Sequence, residues 1–336
     1  MKIFVLKDNK KESWNEFVHA NPQGTFFHLA EWKDVIELSF GCKTYYLYAE
    51  EGGVITGVLP LALVKRPIFG PVLISTPLCV YGGALGDTKE LEEAAAKKAQ
   101  ALGVQYLELR SQTQSRQDWP VSNRFYTFRR ALSDDNEENL KAIPRKQRAE
   151  VRKGMAINLQ TSVNQDINIF YKIYAESVRN LGTPVFSKQY LKDLITIFGK
   201  SCEITTIGHQ GRALTSVLNF RYKDQILPYY GGGISDARHF SAYPYMYWKV
   251  MERAAQEGFK VFDFGRSMEG SGAFSFKKNF GFEPQKLSYQ YHLVKAQELP
   301  DMDPDSQRNK FLTDAWKLLP LPIANRLGPI LYPVIM

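Results

Sequence analysis

The chain has 336 residues and a mass of 38.4 kDa, which suits two domains better than one. Hydrophobic residues make up 44% and charged residues 23%, an ordinary globular composition that excludes a disordered, fibrous or linker protein. Lysine and arginine number 43 against 35 acidic residues, a formal net charge of +8. That excess favours nucleic acid, nucleotide, phosphorylated or anionic lipid partners, or simply marks a soluble basic protein.

The three cysteines, Cys42, Cys79 and Cys202, are scattered and never form a Cys-x-x-Cys pair, which argues against a disulfide framework or a thiolate zinc site. The five histidines show no ligand spacing, so no metal is expected. The first eight residues hold too short an apolar run for a signal peptide, and no apolar stretch approaches the ~20 residues of a membrane span. A reduced cytoplasmic setting is the expectation.

In chain order, residues 44–50 and 54–63 read as strands around the Gly52-Gly53 turn. A helix is expected over 90–102, ended by Gly103, and a strand over 104–111. An acidic run, Asp134-Asp135-Asn136-Glu137-Glu138, follows, with Ser133 placed to cap a short helix through Ile143. Pro144 suits the first turn of another helix, which Gly154 would end. A strand over 157–163 and an amphipathic helix over 167–181 come next, then Gly182-Thr183-Pro184 and a helix over 187–198. Strands are expected over 203–208, 213–222 and 225–230, then a helix over 245–257, ended by Gly258, and a strand from Phe259.

Two stretches repeat in order. Val80-Tyr81-Gly82-Gly83, a helix, a glycine and a strand ending near Glu108 and Arg110 form the first. Tyr229-Tyr230-Gly231-Gly232-Gly233, a helix, a glycine and a strand ending near Asp263 and Arg266 form the second. The expected organisation is a first α/β unit over 1–132, a basic connector over 133–156, a second unit over 157–297 and an apolar tail over 298–336. Pro320, Pro322, Pro329 and Pro333 argue against a long helix in that tail. It either packs on the body or touches a membrane interface through Trp316, Lys317 and Arg326.

The order of several segments resembles the FemAB-like branch of the GNAT superfamily. Trp14, Phe17, Pro22, Phe26, Phe27 and Trp32 open the resemblance, followed by Gly57-Val58-Leu59-Pro60-Leu61, the basic segment 143–154 and Leu181-Gly182-Thr183-Pro184-Val185-Phe186. Its strongest stretch runs from Phe262-Asp263-Phe264-Gly265-Arg266-Ser267 through Phe276-Lys277-Lys278-Asn279-Phe280-Gly281-Phe282. The resemblance covers roughly residues 1–295 and is nearest to the subgroup associated with PEP-CTERM/exosortase and exopolysaccharide systems. It implies mixed α/β sheets in two tandem GNAT-like acyltransferase units. It also implies transfer of an acyl or aminoacyl group to an amine of a cell-envelope or exopolysaccharide precursor. The donor is aminoacyl-tRNA or acyl-CoA, with no tightly bound cofactor. The implied partners are a phosphorylated or nucleotide-linked glycan or peptide precursor and tRNA. The rival readings are a CoA-dependent N-acyltransferase and a non-catalytic binder of a phosphorylated glycan carrier or RNA.

Asp263 and Arg266 stand at a strand's carboxyl end, where open α/β sheets collect ligands. Asp263 can take the amine's proton and Arg266 can hold a carboxylate or phosphate, unless the two simply pair with each other. Tyr230 can serve as an acid to the leaving group or pack as a core tyrosine. Gly231, Gly232 and Gly233 are read as a strand-to-helix loop whose N–H groups approach an anion, or as a plain connection. Ser267 can donate to an oxyanion or cap the next helix. By resemblance Lys277 and Lys278 lie near the acyl or phosphate site; the alternative is a solvated helix face. Arg145, Arg148 and Arg152, at i, i+3 and i+7, face one side of their helix and can grip phosphates or pair with the acidic run before them.

Overall fold

The computed structural model describes residues 1–67, 69–300 and 307–335; residues 301–306 and Met336 of the expected tail lie outside them. The chain divides into two compact units. One comprises Met1–Phe125, Lys286–Met302 and Pro333–Met336; the other comprises Tyr126–Gln285 and Asp303–Tyr332. Residues 126–132, expected in the first unit, therefore build the second, and residues 286–297, expected in the second, build the first.

The first unit begins with β1 (Lys2–Val5), α1 (Lys11–Ala20) and α2 (Glu31–Phe40). Each expected hairpin strand is broken in two and shared between sheets. β2 (Lys43–Thr44) and β3 (Leu47–Glu51) replace the first; β4 (Val54–Leu59) and β5 (Ala62–Val64) replace the second. The second break falls at Pro60, which has no N–H to give a ladder. β6 (Val72–Ser75), β7 (Leu85–Gly86), α3 (Thr88–Leu102), β8 (Tyr106–Ser111) and β9 (Val121–Ser122) follow. One sheet runs β1-β3-β4-β7. The other runs β2-β5-β6-β8, then a strand from far downstream, Ser288–Leu293, then β9. β6 and β8 pair in parallel with α3 as their crossover.

The second unit opens with β10 (Phe125–Ala131), α4 (Asn136–Lys141) and α5 (Arg145–Ala156). Asp135, not Ser133, caps α4: its side chain accepts from the Glu137 N–H at 2.7 Å. The Ser133 hydroxyl instead donates to Glu138 at 2.6 Å. Gly154 does not end α5; it sits inside it, because a Cβ there would lie 2.7 Å from the Tyr245 Cβ. β11 (Gln160–Asn164), α6 (Ile167–Asn180), α7 (Lys188–Phe198), β12 (Cys202–His209), β13 (Arg212–Tyr222) and β14 (Gln225–Gly233) lead to α8 (Ala242–Gln256). β15 (Val261–Asp263), β16 (Ser267–Met268), α9 (Gly272–Asn279) and β17 (Pro284–Lys286) complete the sheet β11-β12-β13-β14-β15-β10-β16, with β17 on β10. After the Ser288–Leu293 strand (β18), the chain ends in α10 (Gln307–Lys317) and α11 (Leu321–Ile335).

α11 corrects the expectation drawn from the tail prolines. Pro322 lies in its first turn, where no intrahelical N–H is needed. Pro329 and Pro333 sit further inside, each removing one helix hydrogen bond. Docking offsets that loss: Ala324 is 1% exposed, and a Cβ at Gly328 would meet the Val185 backbone oxygen at 2.6 Å.

Candidate active site

Strands β14 and β15 hold the second unit's candidate site. They pair in parallel at only two positions, Gln225 with Val261 and Ile226 with Phe262. β14 runs on to Gly233 while β15 stops at Asp263, and a register shift puts Tyr230 opposite Leu218 and Pro228 opposite Asn219. The bulge at Tyr229 bends β14, so the two strands part toward their carboxyl ends. That opening is where a parallel sheet presents backbone groups and side chains to a ligand.

At the end of β15 the chain turns through Phe264-Gly265-Arg266 into β16. Asp263 is 1% exposed and shapes this turn: one carboxylate oxygen accepts from the Gly265 N–H at 2.7 Å, and Gly265 has φ +65°. Its other oxygen lies 3.3 Å from Arg129 Nε, directly across the antiparallel β10–β15 pair, and Thr127 Oγ1 is 3.4 Å from the first. Arg129, which the sequence reading did not weigh, is thus a charge partner of Asp263. Nothing local in the sequence marks Arg129, because the pairing joins residues far apart in the chain.

Lys277 comes from α9, whose N-terminus is capped by Ser271, which accepts from the Phe274 N–H at 3.2 Å. Ser267 is therefore not that cap. Lys277 is buried, and its Nζ donates to the carbonyls of Phe264, Gly265 and Arg266 at 2.7, 3.1 and 3.1 Å. The Phe128 and Phe264 rings lie 5.5 and 5.9 Å from it. Desolvation pulls its pKa down to about 7; Asp263 opposes the shift and Arg266 adds to it. Lys278 is exposed, so the two adjacent lysines part company. Ser267 is 5% exposed, and its hydroxyl has no hydrogen-bond partner. Arg266 is half-buried.

Gly231, Gly232 and Gly233 are the last residues of β14, paired with Val217, Ser216 and Thr215, and not a loop. Side chains press on all three. A Cβ at Gly231 would meet the Tyr247 hydroxyl at 2.9 Å, at Gly232 the Ser177 Cβ at 2.7 Å, and at Gly233 the Tyr243 ring at 2.7 Å. Tyr247 in turn packs edge-on to Phe264 at 4.8 Å and against Phe276 at 5.5 Å. Sequence reading missed Tyr247; its only signal is the row of glycines that makes room for it.

Tyr230 lies on the other face of this sheet. Its hydroxyl is 2.8 Å from that of Tyr190 on α7, and its ring meets Tyr174 and Phe186 at 5.9 and 5.2 Å. Burial, with the neighbouring phenols, pushes its pKa well above the ordinary tyrosine value, so it is a weak acid there. The Lys277–Phe264–Tyr247 group stands on the α8 side. The structure thus gathers Asp263, Arg266, Ser267 and Lys277 at one strand end and separates Tyr230 from Lys277 by the thickness of the sheet.

Arg145, Arg148 and Arg152 line an open groove of about 510 Å³ on α5, with Ala149, Lys153 and Ala156. Arg148 donates to the Lys141 carbonyl at 2.9 Å. The opposite side of α5 packs on α8 through Gly154. There Glu150 accepts from Ser241, the residue preceding α8, at 2.6 Å and from Lys153 at 2.5 Å. Lys153, with Ser241, holds the Glu150 carboxyl below the usual range. Asp236, just ahead of α8, pairs with Arg212 at 2.8 Å. In the first unit the equivalent strand end is closed: Glu108 and Arg110 are buried and paired at 2.6 Å, and Arg110 also donates to the Cys79 carbonyl at 3.0 Å. Among the described residues no group of three or more His, Cys, Asp and Glu side chains converges as a metal site.

Residues 139–278 match the family described as "Acetyltransferase (GNAT) domain". They contain α5, the β14–α8–β15 crossover and Lys277, so the fold class at this site is that of an acyltransferase. Over the longer chain the fold is shared with FemX, at TM-score 0.68 and 13% identity over 88% of this chain and 98% of that one. It is also shared with L-PGS from Bacillus licheniformis, at 0.57 and 13% over 88% and 94%. A tandem GNAT protein from the clavulanic acid biosynthesis pathway matches at 0.54 and 13% over 88% and 99%. No curated protein matches the sequence significantly. The two units share the tandem GNAT-like fold of mixed α/β sheets, and the matched residues of the second unit have the fold of an acyltransferase domain.

Proposed function

We propose that the second unit moves an aminoacyl group from aminoacyl-tRNA to an amine of a phosphorylated or nucleotide-linked envelope precursor, in the FemAB manner. The observation that carries this is Lys277, a buried lysine whose Nζ lies within hydrogen-bond reach of three successive carbonyls at the parting of β14 and β15. In the reaction the amine nitrogen bonds to the ester carbonyl carbon, the carbon–oxygen ester bond breaks, and the amine's proton ends on the departing ribose oxygen. Negative charge gathers on the carbonyl oxygen in between. In its charged form Lys277 would supply positive potential there and lock the 264–266 turn, and the Ser267 hydroxyl, which has no hydrogen-bond partner, would donate to that oxygen. Arg266 would hold an anionic group of the acceptor, and Asp263, engaged with Arg129 and the Gly265 N–H, would position the turn. Lys278 and the Arg145, Arg148 and Arg152 groove would meet donor phosphates.

The donor choice rests on the start of α8. A CoA pyrophosphate needs converging N–H groups and no nearby carboxylate. Here side chains cover the glycine positions, and Glu150 and Asp236 flank the entry to α8. A CoA-dependent reaction is the second reading, favoured by the acetyltransferase family match. The subgroup linked to PEP-CTERM and exopolysaccharide systems remains the proposed biological setting. Mass spectrometry of products, with charged tRNAs and acyl-CoAs offered alongside amine acceptors, tests the reading. Product with tRNA donors alone supports it. Product with acyl-CoA, together with calorimetric binding of acetyl-CoA, transfers the assignment to the second reading.

A further inference from the structure

The geometry points to a membrane-surface contact made by α11: we propose that its outer face lies on a bilayer bearing anionic lipid headgroups. α11 has one face committed to the second unit. Ala324 is buried, Gly328 sits against Val185, and the Tyr332 ring centroid is 3.8 Å from that of Phe186. α10, which precedes it, is fixed to the same unit, with Trp316 9% exposed and the Lys317 carbonyl accepting from Arg179 of α6 at 3.0 Å.

The opposite face of α11 is apolar and uncovered. Ile323, Leu327, Ile330 and Leu331 are 46, 39, 69 and 40% exposed. Their spacing, i, i+4, i+7 and i+8, makes one stripe along the helix. Leu318, in the turn before it, is 85% exposed. A contiguous apolar stripe of this kind is uncommon on a protein that meets only water.

Charge and backbone chemistry choose the occupant. α11 itself carries no Asp or Glu, and exposed Arg326 brings positive charge from within the stripe, while Lys317 at the end of α10 is paired with Asp314 at 2.9 Å. The helix thus contributes no carboxylate to repel a lipid phosphate, and an arginine stem can lie along the hydrocarbon boundary while its head stays among phosphates. The depth is shallow. No described helix is long and apolar enough to cross a membrane. Pro329 and Pro333 have no N–H, so the carbonyls of Asn325 and Pro329 lose their intrahelical donors and need water, which the headgroup layer supplies and the hydrocarbon core does not. A protein partner of ordinary composition would be expected to meet acidic as well as basic groups around the stripe.

The test is co-sedimentation of the full chain with phosphatidylcholine vesicles and with vesicles that also contain phosphatidylglycerol. Binding to the mixed vesicles, weaker on phosphatidylcholine alone, is the expected result. Ile323→Ser with Leu327→Ser and Ile330→Ser, all at exposed positions and therefore compatible with folding, should cut binding to mixed vesicles about tenfold or more. Arg326→Glu should weaken binding to the mixed vesicles and leave phosphatidylcholine binding nearly unchanged. Circular dichroism of each variant confirms the fold. Absence of vesicle binding by the parent chain overturns the proposal. So does a concentration-dependent dimer that the triple substitution dissociates without any vesicle binding, because the stripe would then belong to a second copy.

Discussion

Lys277 carries opposite demands. Three carbonyls reward its charged form, while burial between Phe128 and Phe264 penalises it. Its pKa in the folded chain, about 7, lies below the ordinary 10.5. Between these values the unfolded chain binds more protons than the folded one, so this group makes stability rise with pH; below about 7 its burial cost is present in full. Lys277→Met removes the titration. The melting-temperature difference, variant minus parent, should therefore fall as pH rises from 7 toward 10, and a difference that stays flat would mean Lys277 does not titrate in that window. The same variant should lose about 10²–10³-fold in kcat if Lys277 supplies potential to the developing oxyanion. Asp263→Asn tests the turn beside it. It keeps an acceptor for the Gly265 N–H and removes the charge opposite Arg129, so chemical denaturation should show a loss of about 1–3 kcal/mol. Activity should fall with it, whereas Glu108→Gln in the first unit should cost stability with less effect on transfer; a larger activity loss at Glu108 would move the site to that unit.

At the scale of elements, β14 and α5 make separate demands on their glycines and arginines. The glycines of β14 exist for contact. Gly232→Ala should destabilise by about 1–3 kcal/mol, since its Cβ would fall 2.7 Å from that of Ser177, and thermal melting reads this directly. The α5 arginines are exposed or half-buried, so reversing Arg145 and Arg152 to Glu should change stability by less than about 1 kcal/mol. If they grip a polyanion, the same change should weaken tRNA binding and flatten its dependence on salt, as measured by filter binding across a salt series. What the sequence made legible follows from the range of each signal. Helices α6 and α7 carry apolar residues at helical spacing with Asp166 and Ser187 as side-chain caps, so their bounds are local information. The basic face of α5 and the end of β15 are equally local. The Arg129–Asp263 pair, Glu150 on Ser241 and Tyr247 on Gly231 each join distant segments, and no local pattern announces them. The reading of residues 231–233 as a loop failed for a related reason. Glycines usually weaken a strand, but here they mark helices pressing close on one.

For the molecule as a whole, each unit has a parallel strand pair joined by a helix, β6–α3–β8 and β14–α8–β15, but the first repeat's residues 80–83 lie outside any strand while residues 229–233 end β14, and β6 was not expected. The chain's route between them was not legible, because short strands look alike wherever they pair. β18 enters the first unit's sheet beside β8, with six residue pairs from Ser288 on Ser111 to Leu293 on Tyr106, and it alone carries β9. A fragment ending at Phe125 should therefore be insoluble or molten, while supplying residues 286–302 as a separate peptide should raise its thermal stability. A fragment that melts cooperatively without the peptide would show β18 to be dispensable.

That route also orders events on the ribosome. β8 leaves the exit tunnel with one edge unmatched, and the strand that covers it is made about 180 residues later, roughly 10–40 s at usual elongation rates. During that interval Tyr106–Ser111, whose residues Leu107 and Leu109 are destined for full burial, presents a bare hydrogen-bonding edge to neighbouring nascent chains. The first unit's sheet, although begun first, is closed only after the second unit's sheet has been made, so its yield in the cell should depend on holdase chaperones and on translation speed through the second.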